Sequence, residues 1–244
     1  PVAEGPTWAD VIAENPLIPG LRKRIRLFDV PRDCSAERRA QIRRAAEREL
    51  RLTTGLAHPG VIGPSDISQD EQGRPALVFD FDPKAQRLDE WLAENDDALL
   101  PERRFEVIRR LSEVMQYAHS RNVTHRALTP RQVYVVDEPG KPLLVSVRDW
   151  QTGRESRDAE HSKSTRQATV LQGTRHFMEM ADQETWVYLA PEANMEEPDG
   201  IALDVYGLGA ISYLLLTSAP PANSIAELEE RIRGSKGLDP AVEI

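Results

Sequence analysis

His125-Arg126-Ala127-Leu128-Thr129-Pro130-Arg131-Gln132 is a polar octapeptide set between two strongly patterned segments. Upstream, Pro101 opens the clearest helix of the chain. Phe105, Ile108, Leu111, Met115 and Ala118 recur at three- and four-residue steps and define an apolar face. Downstream, Val133–Val136 and Leu143–Val147 read as short strands about the turn Glu138-Pro139-Gly140. Asp149-Trp150-Gln151 follows, then a polar stretch, Gln151–Thr185, with little periodicity. Ala190-Pro191-Glu192 precedes the strongly apolar helix predicted over Leu203–Thr217, and Ile225–Ile232 reads as a short amphipathic helix.

Moving toward the N-terminus, Arg87–Ala93 is predicted helical and Ala76–Phe81 a strand after the turn Gly73-Arg74-Pro75. Ala36–Leu56 reads as a charged helix stopped by His58-Pro59-Gly60, and Ile25–Val30 as a short strand. Strands dominate the first third and helices the rest, an α+β layout with a boundary near Asp80–Pro83.

The octapeptide resembles the catalytic loop of the protein kinase family. The other matches come in the family's order: His58-Pro59 after a helix, Asp149-Trp150-Gln151 where Asp-Phe-Gly would stand, Ala190-Pro191-Glu192, and Asp204-Val205-Tyr206-Gly207 opening the buried helix. Each tripeptide is weak alone, whereas five in order on fitting elements make a specific signal. The resemblance implies a bilobal kinase-like fold. Residues 1–82 would form a β-rich N-lobe with one helix. Residues 83–244 would form a mainly helical C-lobe whose last helices are absent, with a long activation-type segment over 149–192. By spacing, Trp8-Ala9-Asp10-Val11 matches the end of a glycine-rich loop, Arg26 the ATP-binding lysine, and Glu49 the helix glutamate that pairs with it.

Against that pattern the reaction chemistry is depleted. Ala127 stands where the resemblance places the aspartate that accepts the substrate proton, a loss of roughly 10²–10⁴ in rate. Thr129 replaces the loop lysine, Gln132 the metal-binding asparagine, and Gln151 the glycine after the magnesium aspartate. Gly5 is the one glycine near the phosphate-binding turn, and Pro6 removes a donor there. Arg26 keeps a charge but not the shape of an ammonium. Pairing between Arg26 and Glu49 is expected to survive without nucleotide.

Bland roles stand beside these. His125 is expected to pack the loop and not to act chemically. Arg126 would bind a phosphorylated segment or pair with a carboxylate. Asp149 would ligate a metal or cap its turn, and Glu49 would pair or lie solvated on an arginine-rich helix. Ser156, Ser162, Ser164, Thr165, Thr169 and Thr174 lie among arginines in a stretch read as regulatory or as an unstructured insertion.

These readings lead to a pseudokinase, a regulatory or scaffolding module of a larger protein. The alternative is a divergent Ser/Thr kinase using ATP and magnesium, with Asp158 or Glu160 as substitute base. A small-molecule phosphotransferase is disfavoured by Ala190-Pro191-Glu192 and His58-Pro59. No cofactor is expected, with ATP and magnesium admitted only if a vestigial site at Val11, Arg26, Glu49 and Asp149 is retained. His-Arg-Ala-Leu-Thr-Pro-Arg and Arg-Asp-Trp-Gln-Thr-Gly-Arg are further similar to kinase-like domains of bacterial phage-growth-limitation (BREX-type) proteins, which implies a bacterial phage-defence setting.

Composition bounds the rest. The chain has 244 residues, 40% hydrophobic and 29% charged, with a formal net charge of -9. That acidity disfavours direct binding to nucleic acid or an anionic membrane. A single cysteine, Cys34, makes no internal disulfide and fits a cytoplasmic setting. The expected partners are other domains of the same polypeptide or a separate protein. A chain opening on Pro1 is expected to be a piece of something longer.

Overall fold

The computed structural model describes residues 3–5, 8–28, 35–71, 73–155, 183–195 and 198–234. Its N-terminal part is an antiparallel sheet of β1 (Ala3–Gly5), β2 (Trp8–Glu14), β3 (Arg22–Phe28), β4 (Asp66–Gln69) and β5 (Pro75–Asp80), in the order β1-β2-β3-β5-β4. Helix α1 (Ala36–Thr54) packs on that sheet, and Ile42 and Ala46 join Phe28, Leu77 and Phe79 in a small core. Strand alternation sends Arg24, Arg26 and Phe28 inward together, so two guanidiniums enter a face that would ordinarily be apolar. Strand β4 was not foreseen, because Asp66-Ile67-Ser68-Gln69 has one apolar residue and no alternation to read.

The rest is mainly helical. Helix α2 (Leu88–Asn95) follows β6 (Gln86–Arg87), and α3 (Pro101–Ser120) leads through β7 (Val123–Thr124) into the catalytic-type loop. Strand β8 (Val133–Val136) lies between β6 and β9 (Leu144–Val147) and pairs with both, β10 (Arg154–Glu155) pairs with β7, and α4 (Gly200–Thr217) and α5 (Ile225–Arg233) complete the described chain. The large core gathers Leu111, Met115 and Ala118 of α3 with Leu128, Trp150 and Ile211.

One assignment on α3 needs correcting. Phe105 is 58% exposed, and the buried face runs through Val107, Leu111, Val114, Met115 and Ala118. A 3.6-residue period fixes a face only to within a neighbour, and Val107 and Val114 lie closer to its centre than Phe105 does. Helix α4 is, among the described residues, the one helix long and apolar enough to cross a membrane; it packs against α3 and carries the fully buried Asp204.

Two close approaches hold the parts in register. After α1, Gly60 accepts from the Val147 backbone and Ile62 donates to Val147 at 3.0 Å, which stitches that turn to the strand leading into Asp149. On α4, a Cβ at Gly207 would stand 2.7 Å from the Leu128 carbonyl oxygen. Gly207→Ala is therefore expected to destabilise the fold by about 1–3 kcal/mol, read as a lower urea midpoint.

Candidate functional site

The catalytic-type loop is held by Asp204. Its Oδ2 accepts from the His125 amide at 2.8 Å and its Oδ1 from the Arg126 amide at 2.5 Å, while His119 Nε2 lies 2.8 Å from Oδ2. Arg126 adopts φ 73°, a left-handed conformation that this pair of bonds fixes. His125 is fully buried and sits edge-on to Trp150 at 4.8 Å between centroids. Its Nε2 donates to the Arg148 carbonyl at 2.9 Å, which leaves Nδ1 as acceptor for the Ala127 amide at 3.4 Å. Burial lowers the His125 pKa and keeps the ring neutral. Its contacts are those of a packing residue.

Within this ordered frame the positions that carry the family's reaction chemistry hold other side chains. Ala127 is buried and presents a methyl group. Thr129 Oγ1 donates to Gln132 Oε1, so the amide oxygen expected to meet a metal is engaged by its own loop. Thr152 Oγ1 donates to the His125 carbonyl at 2.8 Å, tying the Asp149 segment to the loop from the other side.

The second half of the site is an ionic lattice between the sheet and Asp149. Asp10 and Arg26 are cross-strand partners. Arg26 donates from Nε to Asp10 Oδ1 at 2.8 Å, from Nη2 to Asp10 Oδ2 at 3.0 Å, and from Nη1 to Asp149 Oδ1 at 2.6 Å. Arg24 Nη1 adds a 2.8 Å bond to Asp10 Oδ2 and lies 3.8 Å from Asp149 Oδ1. The guanidiniums also stack on rings: Arg26 over Trp8 at 3.9 Å, Arg24 over Phe79 at 4.0 Å, and Arg148 over Tyr134 at 3.7 Å. Burial opposes the charge on Arg26, but Asp149 and Asp10 outweigh it and carry its pKa well above the ordinary arginine value. Burial likewise opposes ionisation of Asp149, and Arg26 and Arg24 overcome it, so its pKa is lowered. Asp149 has φ 62°, a left-handed conformation that aims its carboxylate at the arginines.

Glu49 does not pair with Arg26 as expected. It lies outside ion-pair distance; its Oε1 accepts from the Trp150 amide at 3.1 Å and its Oε2 has no hydrogen-bond partner among the described residues. Asp149 and Asp10 take a bond from each of the three guanidinium nitrogens of Arg26. Burial and the Asp149 charge raise the Glu49 pKa to about 7, against the pull of Arg26 and Arg24.

Val11 is corrected too. Its cross-strand partner is Ile25, so it lies on the face opposite Arg26, and Asp10 and Ile12 are the β2 residues beside the arginines. A shift of one residue along a strand exchanges faces, and motif spacing alone does not fix that parity. Asp10 was the residue sequence reasoning missed; an acid on one strand facing Arg24 and Arg26 on the next is the signal that would have found it.

Elsewhere, burial and the nearby Arg154 and Arg48 charges lower the Arg126 pKa. Ala190 is buried, while Pro191 and Glu192 are exposed. Pro6, Cys34, Ser156, Asp158, Glu160, Ser162, Ser164, Thr165, Thr169 and Thr174 lie outside the described residues.

These residues do not fit the nucleotide and magnesium that the kinase resemblance implies. The cation on β3 is bonded to carboxylates on both sides, Asp149 is bonded to arginine, and Gln132 is bonded to Thr129. Phosphate would have to displace a buried, charge-assisted bond, and metal a partly buried one.

Comparisons with known proteins agree with this frame. The family model described as the protein kinase domain matches residues 32–238. The chain is 35% identical over 253 residues to the probable kinase PglW of Streptomyces coelicolor, covering 97% of this chain and 16% of that protein. It is 26% identical over 177 residues to the serine/threonine-protein kinase PknB of Mycolicibacterium smegmatis, covering 71% of this chain and 25% of that one. It is 24% identical over 194 residues to death-associated protein kinase 2 of Mus musculus, covering 80% and 47% respectively. The chain thus spans less than half the length of each relative.

Proposed function

The chain belongs to the protein kinase family, and from that premise we propose that it is a pseudokinase: a regulatory or scaffolding module of a larger protein, impaired in phosphoryl transfer. Residues 1–82 and 83–244 are its two lobes. One observation carries the reading: a catalytic-type loop fastened by Asp204 and packed on Trp150 that offers only the Ala127 methyl group as proton acceptor. A general base must lie within hydrogen-bond reach of the hydroxyl proton it removes, and a methyl group removes none. The family uses ATP and magnesium; this module works without either. The similarity to PglW over nearly the whole chain supports a role in bacterial phage-growth limitation; a cytoplasmic setting, with other domains of the same polypeptide or a protein as partner, belongs to the same proposal.

The alternative, a divergent Ser/Thr kinase, has Asp149 in its favour, since that carboxylate is ionised and sits where the family keeps its magnesium ligand. One assay separates the two. Purified protein with labelled ATP and magnesium or manganese is expected to transfer no label to itself or to casein, and Ala127→Asp alone restores none. Transfer by the wild-type chain that Asp149→Ala abolishes would sink the pseudokinase reading.

A further inference from the structure

The ions a kinase cleft normally borrows are supplied here by side chains. A carboxylate in two parallel bonds to a guanidinium has the geometry and charge of the contact a phosphate would make. Asp10 makes that contact with Arg26 at 2.8 and 3.0 Å. A magnesium ion sits between phosphate oxygens and an aspartate; Arg26 sits between Asp10 and Asp149. Arg26 and Asp10 are each at most 3% exposed, so the lattice is part of the interior. It joins β2 and β3 of the N-terminal sheet to the turn Trp150–Thr152, which α1 contacts and Thr152 ties to the catalytic-type loop.

We infer that Asp10, Arg26 and Asp149 form a nucleotide-independent latch, with Asp10 as resident anion and Arg26 as resident cation, that holds the sheet closed on the Asp149 segment. The inference deepens the pseudokinase reading and rests on it. Two consequences follow from the chemistry. Closure needs no ligand, because both charges are covalently part of the chain. Nucleotide is excluded, because its phosphates would have to displace Asp10 from two buried arginines at once.

Amide hydrogen exchange tests the latch on the whole chain. Asp10→Asn and Asp149→Asn keep side-chain shape and remove charge. Each is expected to speed exchange at least about tenfold in Trp8–Glu14, Arg22–Phe28 and Trp150–Glu155, with α3 unchanged. Millimolar ATP with magnesium is expected to leave wild-type exchange and melting temperature unchanged. Should either variant fail to fold, Arg26→Lys is read instead; it keeps the charge, loses the fork and must loosen the same three segments. The latch is overturned by variants that exchange like wild type, or by slower wild-type exchange with ATP and magnesium. A parallel labelled-phosphate assay keeps the readings apart. Wild-type exchange slowed by ATP and magnesium without transfer overturns the latch alone; transfer by a chain whose variants still loosen the three segments overturns the loss of catalysis and the exclusion of nucleotide, and leaves the ionic closure standing.

Discussion

Arg26→Met is expected to lower the unfolding free energy by about 3–5 kcal/mol, because it leaves the buried Asp10 and the partly buried Asp149 facing one another without their main counter-charge. Arg26 is 2% exposed and gives three hydrogen bonds to Asp10 and Asp149. Arg24 remains and stays bonded to Asp10, but it lies 3.8 Å from Asp149, too far to replace the 2.6 Å contact. Methionine fills much of the volume over Trp8, so the loss is mainly electrostatic. At about 2–4 °C per kcal/mol for a domain of this size, melting falls by roughly 10 °C. Adding Asp149→Asn to Arg26→Met is expected to recover part of the loss, since the stranded charge is gone. A melting temperature within about 2 °C of wild type would mean that water reaches these carboxylates.

The pH dependence of stability should carry the mark of Glu49. Its folded pKa, about 7, stands above the ordinary 4.5, so the folded chain keeps a proton that the unfolded chain has released. Stability from this group is therefore fully present below 4.5 and falls as pH rises to about 7, by at most about 3 kcal/mol. The groups around it set the sign: burial and Asp149 hold the proton on, while Arg26, Arg24 and the Trp150 amide draw it off. Asp149 works oppositely, its lowered pKa adding stability that is lost only in acid, below its ordinary 3.8. Urea unfolding at about pH 5 and about pH 8 should show wild type losing stability toward the higher pH relative to Glu49→Gln, both chains sharing the opposite contribution of buried His125, whose pKa is lowered from 6.5. Glu49→Gln should flatten that slope and be the more stable chain at the higher pH. An unchanged slope in the variant would remove Glu49 as its source.

Much of this was legible because periodic or motif-bearing segments report themselves. Helix α3 began at Pro101 as read, β8 kept its predicted ends, and α4 opened three residues before its predicted start, where the Asp199 side chain caps the Ile201 amide. The motif order placed Asp204 on the buried helix, and the fold brings it onto the catalytic-type loop. What the sequence hid was direction. Motif spacing brought Arg26 and Glu49 to one neighbourhood, but a cross-strand acid, Asp10, competed for the guanidinium and won. Such competition depends on strand parity and on which donors remain free, and neither is written in spacing. Phe105 failed for a related reason: an apolar residue at the right interval can still stand at the rim of its face.

Arg26 also changes what this module can sense. Magnesium and nucleotide come and go with the energy state of a cell, and a chelator can strip the metal. A guanidinium carried on β3 does neither. On the latch proposed above, a fold closed by such a charge would be blind to the ratio of ATP to ADP.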